Sequence, residues 1–283
     1  MLWKEYDVIS ACYETPNGTI RYWVNDLLRA GGSAPTLVFL PGLTADHRLF
    51  EKQLEYFENR RPCFVWDAPG HLESRPFTLD FDLAQKATWL REILAAEGVA
   101  RPVMVGQSMG GYVSQMFAQL FPGEMAGFVS IDSAPLQRSY ISSWEIWVLK
   151  RMEPVYRWYP RKALLSQGAK GCSTTEYGQQ LMRDMIQTYD RKEYARLSGH
   201  GFRMLAEAYE ANLPYELACP VQLICGEKDG AGSSKSYNRR WAAQTGYPLE
   251  WLVNAGHNAN CDKPEVVNSL IECLLARVEE GGR

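Results

Sequence analysis

Ser108, His257 and Asp229 are the residues whose types and surroundings suit joint chemistry. Ser108 lies in Gly106-Gln107-Ser108-Met109-Gly110, which fits the G-x-S-x-G nucleophile elbow. A strand that turns at once into a helix forces its serine into a strained backbone geometry. Side chains at the flanking positions would strike the neighbouring strand and helix, and glycine has none. The hydroxyl then stands at the strand's carboxyl end, beside the free N–H groups of a new helix. Serine is a poor nucleophile at neutral pH. It needs an imidazole to take its proton, and the imidazole needs a carboxylate to fix its tautomer and stabilise its cation. Only four histidines are available. His257 lies in Val253-Asn254-Ala255-Gly256-His257-Asn258-Ala259-Asn260, and Asp229 in Cys225-Gly226-Glu227-Lys228-Asp229. Each loop follows an expected strand. Both therefore fall at the carboxyl edge of a parallel sheet, where open α/β folds place their ligands.

The elements that must position these groups follow from the pattern of apolar residues. Residues 6–11 and 19–25 read as a hairpin around the turn signal Pro16-Asn17-Gly18. Continuous apolar runs at 36–40, 63–66, 102–105 and 127–132 read as strands buried on both faces. Helical spacing separates them at 49–59 and at 83–97, where Ala84, Ala87, Leu90 and Leu94 recur at i, i+3 and i+4. Alternation of this kind means a mostly parallel sheet with helices on both faces, an α/β fold. The rhythm stops near Pro135. Residues 136–212 hold no strand-like run and read as several aromatic-rich helices, with Tyr140, Trp144, Trp147, Tyr156, Trp158, Tyr177 and Tyr194 among them. Strands resume at 221–225 and 249–253, with helices at 234–245 and 264–278. The expected division is a core at 1–134, an inserted helical lid at 135–213, and the rest of the core at 214–283.

Composition narrows the function classes. The chain has 283 residues, 46% hydrophobic and 22% charged, with net charge −3. Nucleic acid is therefore not an expected partner. No apolar run approaches the roughly 18 residues that a membrane helix needs, so no membrane partner is expected, and charges occupy the N-terminal stretch where a signal peptide would be apolar. The chain reads as soluble and cytoplasmic. Its seven scattered cysteines form no C-x-x-C, so no metal site and no disulfide framework is expected.

At these motifs the chain resembles the capped α/β-hydrolases, a superfamily of esterases, lactonases, C–C bond hydrolases, cofactor-free haloperoxidases and proline iminopeptidases. Phe39-Leu40-Pro41-Gly42-Leu43-Thr44 resembles the family's H-G-x-x loop, with Pro41 in place of the histidine. Trp66-Asp67-Ala68-Pro69-Gly70-His71-Leu72-Glu73-Ser74 is similar to its D-x-P-G-H-G-x-S stretch, with Leu72 in place of a glycine. The order Ser108, Asp229, His257 is the order this fold's triad takes. The resemblance implies Ser108 as nucleophile, His257 as base and Asp229 as acid, because GEKD matches the family's acid motif. Asp132 is the alternative, since some members carry their acid after that strand. The resemblance also implies an oxyanion hole from the backbone N–H groups of Leu43 and Met109. Met109 opens the helix after the nucleophile, which leaves its N–H free.

The expected activity is cleavage of an ester, lactone or related acyl bond of a small apolar or aromatic substrate, with no cofactor. Superfamily members with an aspartate nucleophile, the dehalogenases and epoxide hydrolases, are disfavoured by a serine at 108. C–C bond hydrolysis or lyase chemistry with the same triad is the alternative. Its substrates often carry carboxylates, so a pocket arginine would favour it, and Arg48, Arg138 and Arg203 are the candidates. A non-catalytic binding protein on this fold is a third reading, although such proteins often lose a triad member and none is missing here. Trp144 and Trp147, one turn apart, suit a substrate pocket or the packing of lid on core. His47 is a candidate for the pocket mouth. His71 and Asp67 belong to a turn near the site, and His200 reads as structural. Monomer and dimer both remain open.

Overall fold

The computed structural model describes residues 8–32 and 34–281. The chain begins with β1 (Val8–Thr15), β2 (Gly18–Asn25) and α1 (Asp26–Arg29), then continues through β3 (Leu37–Leu40), α2 (Glu51–Phe57), β4 (Cys63–Trp66), α3 (Leu83–Ala96), β5 (Val103–Gln107), α4 (Met109–Leu120) and β6 (Gly127–Ile131). Six α-helices follow, with a π-helical turn at Leu164–Gly168 between the third and fourth: α5 (Ser143–Leu149), α6 (Met152–Trp158), α7 (Arg161–Ala163), α8 (Ala169–Cys172), α9 (Glu176–Gln187) and α10 (Arg191–Ala211). The α/β rhythm then returns with β7 (Val221–Gly226), α11 (Ser234–Thr245), β8 (Leu249–Leu252), α12 (Ala259–Asp262) and α13 (Pro264–Gly281).

The eight strands form one sheet in the order β1-β2-β4-β3-β5-β6-β7-β8. β1 and β2 pair antiparallel, as do β2 and β4, and every later pairing is parallel. The first strand differs from expectation. It runs to Thr15, where 6–11 was expected, because its register with β2 carries the ladder down to Thr15 opposite Gly18. Cross-strand pairing carries the strand on through the polar residues Glu14 and Thr15. Tyr6 and Asp7 lie outside the described residues. The short α1 was not expected either; Asn25 caps it by accepting from the Leu28 N–H.

The central strands alternate strictly between two cores. Val38, Leu40, Phe64, Trp66, Met104 and Phe128 pack on one face with Leu90 and Ile93 of α3 and Val113 and Phe117 of α4. Leu37, Phe39, Val65, Val103, Val105 and Val129 pack on the other with Leu54 and Phe57 of α2 and Ile271, Leu274 and Leu275 of α13. This is the period-two rule of a strand buried on both sides. Helices α9 and α10 join the same cores from the carboxyl edge: Met204, Leu205 and Tyr209 belong to the first, and Met182, Met185 and Ile186 to the second.

Candidate active site

Ser108 sits between β5 and α4 with φ 50° and ψ −116°. Strain of that kind persists only where the surroundings enforce it. They do so here by close approach. A Cβ on Gly106 would lie 2.5 Å from the backbone of Gly110 and Gly111, and one on Gly110 would lie 1.8 Å from the Leu40 carbonyl oxygen. Only glycine fits at either place, so the sequence G-x-S-x-G and the sharp turn require each other.

His257 follows β8 and reaches back over the elbow. Ser108 Oγ lies 2.9 Å from His257 Nε2, and His257 Nδ1 lies 3.0 Å from Asp229 Oδ1. An ionised carboxylate only accepts, so Nδ1–H donates to Asp229 and Nε2 accepts from the serine. Burial disfavours the imidazolium, but the hydrogen bond and charge of Asp229 outweigh it and hold the His257 pKa above its ordinary value. Burial also opposes ionisation of Asp229. The bond from His257 and the Ala231 N–H, 2.8 Å from Oδ1, overcome it and lower its pKa.

Asp132 is fully buried nearby and is held differently. Its oxygens accept from the backbone N–H groups of Gly226 (2.7 Å) and Ala259 (3.1 Å). Burial, then the Asp229 charge, push its pKa up to about 8. The two neighbouring carboxyl groups are thus driven apart in acidity, with the negative charge kept on Asp229.

The loop after β3 faces the serine. A Cβ on Gly42 would lie 2.3 Å from Gln107 Oε1 and 3.1 Å from Ser108 Cβ, so glycine permits the approach. Thr44 adopts φ 63°, and its N–H donates to His71 Nε2 at 3.1 Å. His71 Nδ1 lies 3.1 Å from the carbonyls of Ala68 and Pro69, which assigns the proton to Nδ1. Burial, then the charge of Lys86, lower the His71 pKa to about 3, so it stays a neutral acceptor. His71 therefore braces the loop that carries Leu43. Leu72, at the family's glycine position, takes φ 23°. Leu43 is also pressed from outside, since a Cβ on Gly201 of α10 would lie 2.5 Å from Leu43 Cδ1.

A cavity of about 640 Å³ lies over Ser108. Leu43, Met109 and His257 line its floor, and residues of α5, α6, α9 and α10 close it, among them Trp144, Val148, Met152, Tyr156, Met182 and Phe202. No lysine or arginine lines it among the described residues. Arg48 pairs with Asp46 at 2.7 Å, Arg138 donates to the Ile141 carbonyl and Ser143, and Arg203 lies 3.9 Å from Glu153. Two expected pocket residues lie elsewhere. Trp147 is outside the cavity wall, stacked on Trp144 with ring centroids 4.8 Å apart and covered by the Arg151 guanidinium at 4.1 Å. His47 is buried, 2.8 Å from Asp67 and 4.0 Å from the Trp23 ring. It serves the base of the loop and not a mouth.

Three contributors were missed in the sequence. Gln107 Nε2 donates to the His257 carbonyl at 2.8 Å, tying the elbow to the histidine loop. Buried Asp262 accepts from Ser173 Oγ, from the N–H groups of Thr174 (2.9 Å), Thr175 (2.9 Å) and Gly256 (2.8 Å), and from Thr175 Oγ1 (2.7 Å). It thereby joins the helical segment to the residue before His257. Glu145 of α5 forms a capping box with Ser142 and also accepts from Ser233 Oγ (3.0 Å) and Tyr237 Oη. The spacing Ser142-x-x-Glu145 signals the cap; nothing local signals the other ties. Two clusters of possible metal donors, Asp46, His47 and Asp67, and Asp132, Cys225 and Asp229, have carboxylates already engaged by Arg48, His47, His257 and backbone N–H groups.

An eight-stranded, mostly parallel sheet with an elbow serine, a loop histidine and a loop aspartate at its carboxyl edge defines a class of hydrolases. The family model for the alpha/beta hydrolase fold matches residues 35–264, and the chain belongs to that family. A curated relative, 2-succinyl-6-hydroxy-2,4-cyclohexadiene-1-carboxylate synthase of Citrobacter koseri, is 28% identical over 253 residues, covering 85% of this chain and 94% of its own. A putative carbamate hydrolase of Escherichia coli is 23% identical over 257 residues, covering 84% and 90%. Among solved structures, a thermophilic esterase from Thermogutta terrifontis superposes with TM-score 0.73 at 19% identity, covering 96% of this chain and 98% of its own. A putative lipase from Acinetobacter baumannii gives 0.75 at 18%, covering 97% and 93%.

Proposed function

We propose that the protein hydrolyses an ester, lactone or related acyl bond of an uncharged, largely apolar substrate. Ser108 attacks the carbonyl carbon while His257 takes its proton. Asp229 holds the His257 tautomer and stabilises the imidazolium. The N–H groups of Leu43 and Met109 hold the oxyanion, a contribution typically about 3 kcal/mol per donor. His257 then protonates the leaving group, and water, activated by the same imidazole, releases Ser108 from the acyl-enzyme. Residues 135–213 act as the lid whose inner wall sets specificity.

The observation that carries this reading is the hydrogen-bonded chain from Ser108 through His257 to Asp229, opening into an apolar cavity with no lysine or arginine among its described lining residues. The synthase relative offers a second reading, chemistry on a carbonyl compound bearing a carboxylate. The absence of lysine and arginine among the described cavity residues weighs against it, since an anion there would lie beside Glu145 without a counter-charge. The carbamate hydrolase relative fits the acyl reading, because a carbamate carbonyl reacts by the same addition.

The test is hydrolysis of p-nitrophenyl acetate and butyrate by the wild type and by Ser108→Ala. Wild-type turnover that the variant loses by roughly 10⁵-fold or more supports the proposal. Equal rates in both would overturn Ser108 as nucleophile.

A further inference from the structure

Single exposed apolar residues are ordinary, but contiguous ones are informative. In this protein they gather on α5 and α6, where Trp144 is 66% exposed, Trp147 46%, Val155 51% and Trp158 78%. On α6 the outward residues Pro154, Val155 and Trp158 stand at i, i+1 and i+4, which is one face of a helix. The opposite face sends Met152 and Tyr156 into the cavity. This helix is thus apolar both inward and outward. On α5 the Trp144 and Trp147 rings stack in parallel, and Arg151 at the junction lies over Trp147.

Charge around this face differs from the rest of the chain. Between Trp144 and Lys162 stand Lys150, Arg151, Arg157, Arg161 and Lys162 against Glu145 and Glu153, in a protein of net charge −3; Lys150 pairs with Glu210 and Arg157 with Glu153 at the surface, and Arg161 turns inward to the Ile186 and Tyr189 carbonyls. Glu145 is turned inward to Ser233 and Tyr237. Outward tryptophan and valine on two consecutive helices, with Lys150, Arg151 and Arg157 among them in sequence, suit a membrane interface, where indole rings sit at headgroup depth and cations meet anionic lipid. No helix among the described residues is long and apolar enough to cross a membrane.

We propose that the outer face of α5 and α6 docks on the surface of an anionic lipid bilayer. A second copy of the chain fits this face less well, because a two-fold contact would bring the same cations together. Trp144 belongs both to the exposed face and to the cavity wall. Docking there sets the wall of the cavity against lipid, so an apolar substrate passes inward with little exposure to water.

The test is co-sedimentation of the full-length protein with vesicles of phosphatidylcholine alone or mixed with phosphatidylglycerol, with tryptophan emission read in parallel. We expect binding to the mixed vesicles about tenfold or more above the neutral ones, a blue shift on binding, and weakening by salt. Val155→Ser combined with Trp158→Ala should lower the bound fraction about tenfold while thermal unfolding and turnover of a soluble ester stay unchanged. Absence of binding to mixed vesicles, or equal binding to both kinds, would overturn the proposal. So would a wild-type dimer in solution that this double variant converts to monomer, since the face would then join two copies. Vesicle binding, tryptophan emission, thermal unfolding and oligomeric state do not depend on what Ser108 does.

Discussion

The helical segment between β6 and β7 meets the core at two edges, and the two are built on opposite principles. At the His257 edge, residues 172–175 are bound mainly by polar groups: Asp262 gathers five donor groups, four of them from Ser173, Thr174 and Thr175, and the Asn258 N–H donates to the Cys172 carbonyl at 2.6 Å. At the α5 edge the outer surface is aromatic and exposed, Ile141 and Ile146 anchor the segment in the first core, and a single carboxylate, Glu145, reaches across to Ser233 and Tyr237. A buried carboxylate with every lone pair satisfied is expensive to break, whereas a half-exposed one is partly replaced by water. The polar tie is therefore the stronger one beside the catalytic base we propose and the weaker one beside the cavity's outer wall.

The largest expected effect lies at the polar edge. Asp229→Asn should lower kcat by ~10⁴-fold with the fold intact, and Asp132→Asn by less than about tenfold. If Asp132→Asn gives the larger loss, the roles of the two carboxyl groups are reversed. Asp229→Asn should also move the acid limb of the kcat/KM profile to lower pH, because the charge that raises the His257 pKa is gone.

Asp262→Asn comes next. It leaves buried N–H groups facing an amide, so we expect unfolding free energy to fall by about 2–4 kcal/mol. Misplacement of the His257 loop should lower kcat about 10- to 100-fold with KM nearly unchanged. A matched loss of stability with unchanged kcat would mean that the staple does not position His257.

Glu145→Gln should have a smaller effect, about 1 kcal/mol or less, expressed mainly in KM. Equal destabilisation by Glu145→Gln and Asp262→Asn would remove the contrast between the two edges. The smallest effect is a pH signature of the same latch. Burial alone would raise the Glu145 pKa, but bonds from Ser142, Tyr237 and Ser233 bring it down to about 2 from 4.5. A depressed folded pKa stabilises above the unfolded value and is lost as pH falls through the folded one. The wild type should therefore lose its stability advantage over Glu145→Gln between about pH 4.5 and pH 2, read from thermal unfolding across that window.

The sequence discloses features whose causes are local. The elbow is legible because Gly106 and Gly110 answer to contacts within a few residues and one strand. The buried strands are legible because four or five apolar residues in a row have few other uses. Trp147 was misread for a physical reason: helical spacing places it on the same side as Trp144, but cannot say whether that side looks in or out. His47 gave no local sign of Asp67, twenty residues on in a different loop. Asp262 reads as one more acidic residue at a helix end until the fold brings residues 173–175 to it. Long-range polar partners leave no periodic trace, so the staple and the Glu145 latch appear only once the chain is folded.

The contact between Gly201 and Leu43 bears on engineering. Consider an exchange of the helical segment between β6 and β7 for that of another protein of this fold. Here the graft would have to bring a residue without a Cβ opposite Leu43 and a run of donors matched to Asp262. A transplanted segment lacking the first would push on the loop after β3, and one lacking the second would leave Asp262 bare. For this protein the transferable unit is the helical segment together with Leu43 and the His257 loop, and a chimera cut at residues 135 and 213 alone should emerge folded but slow.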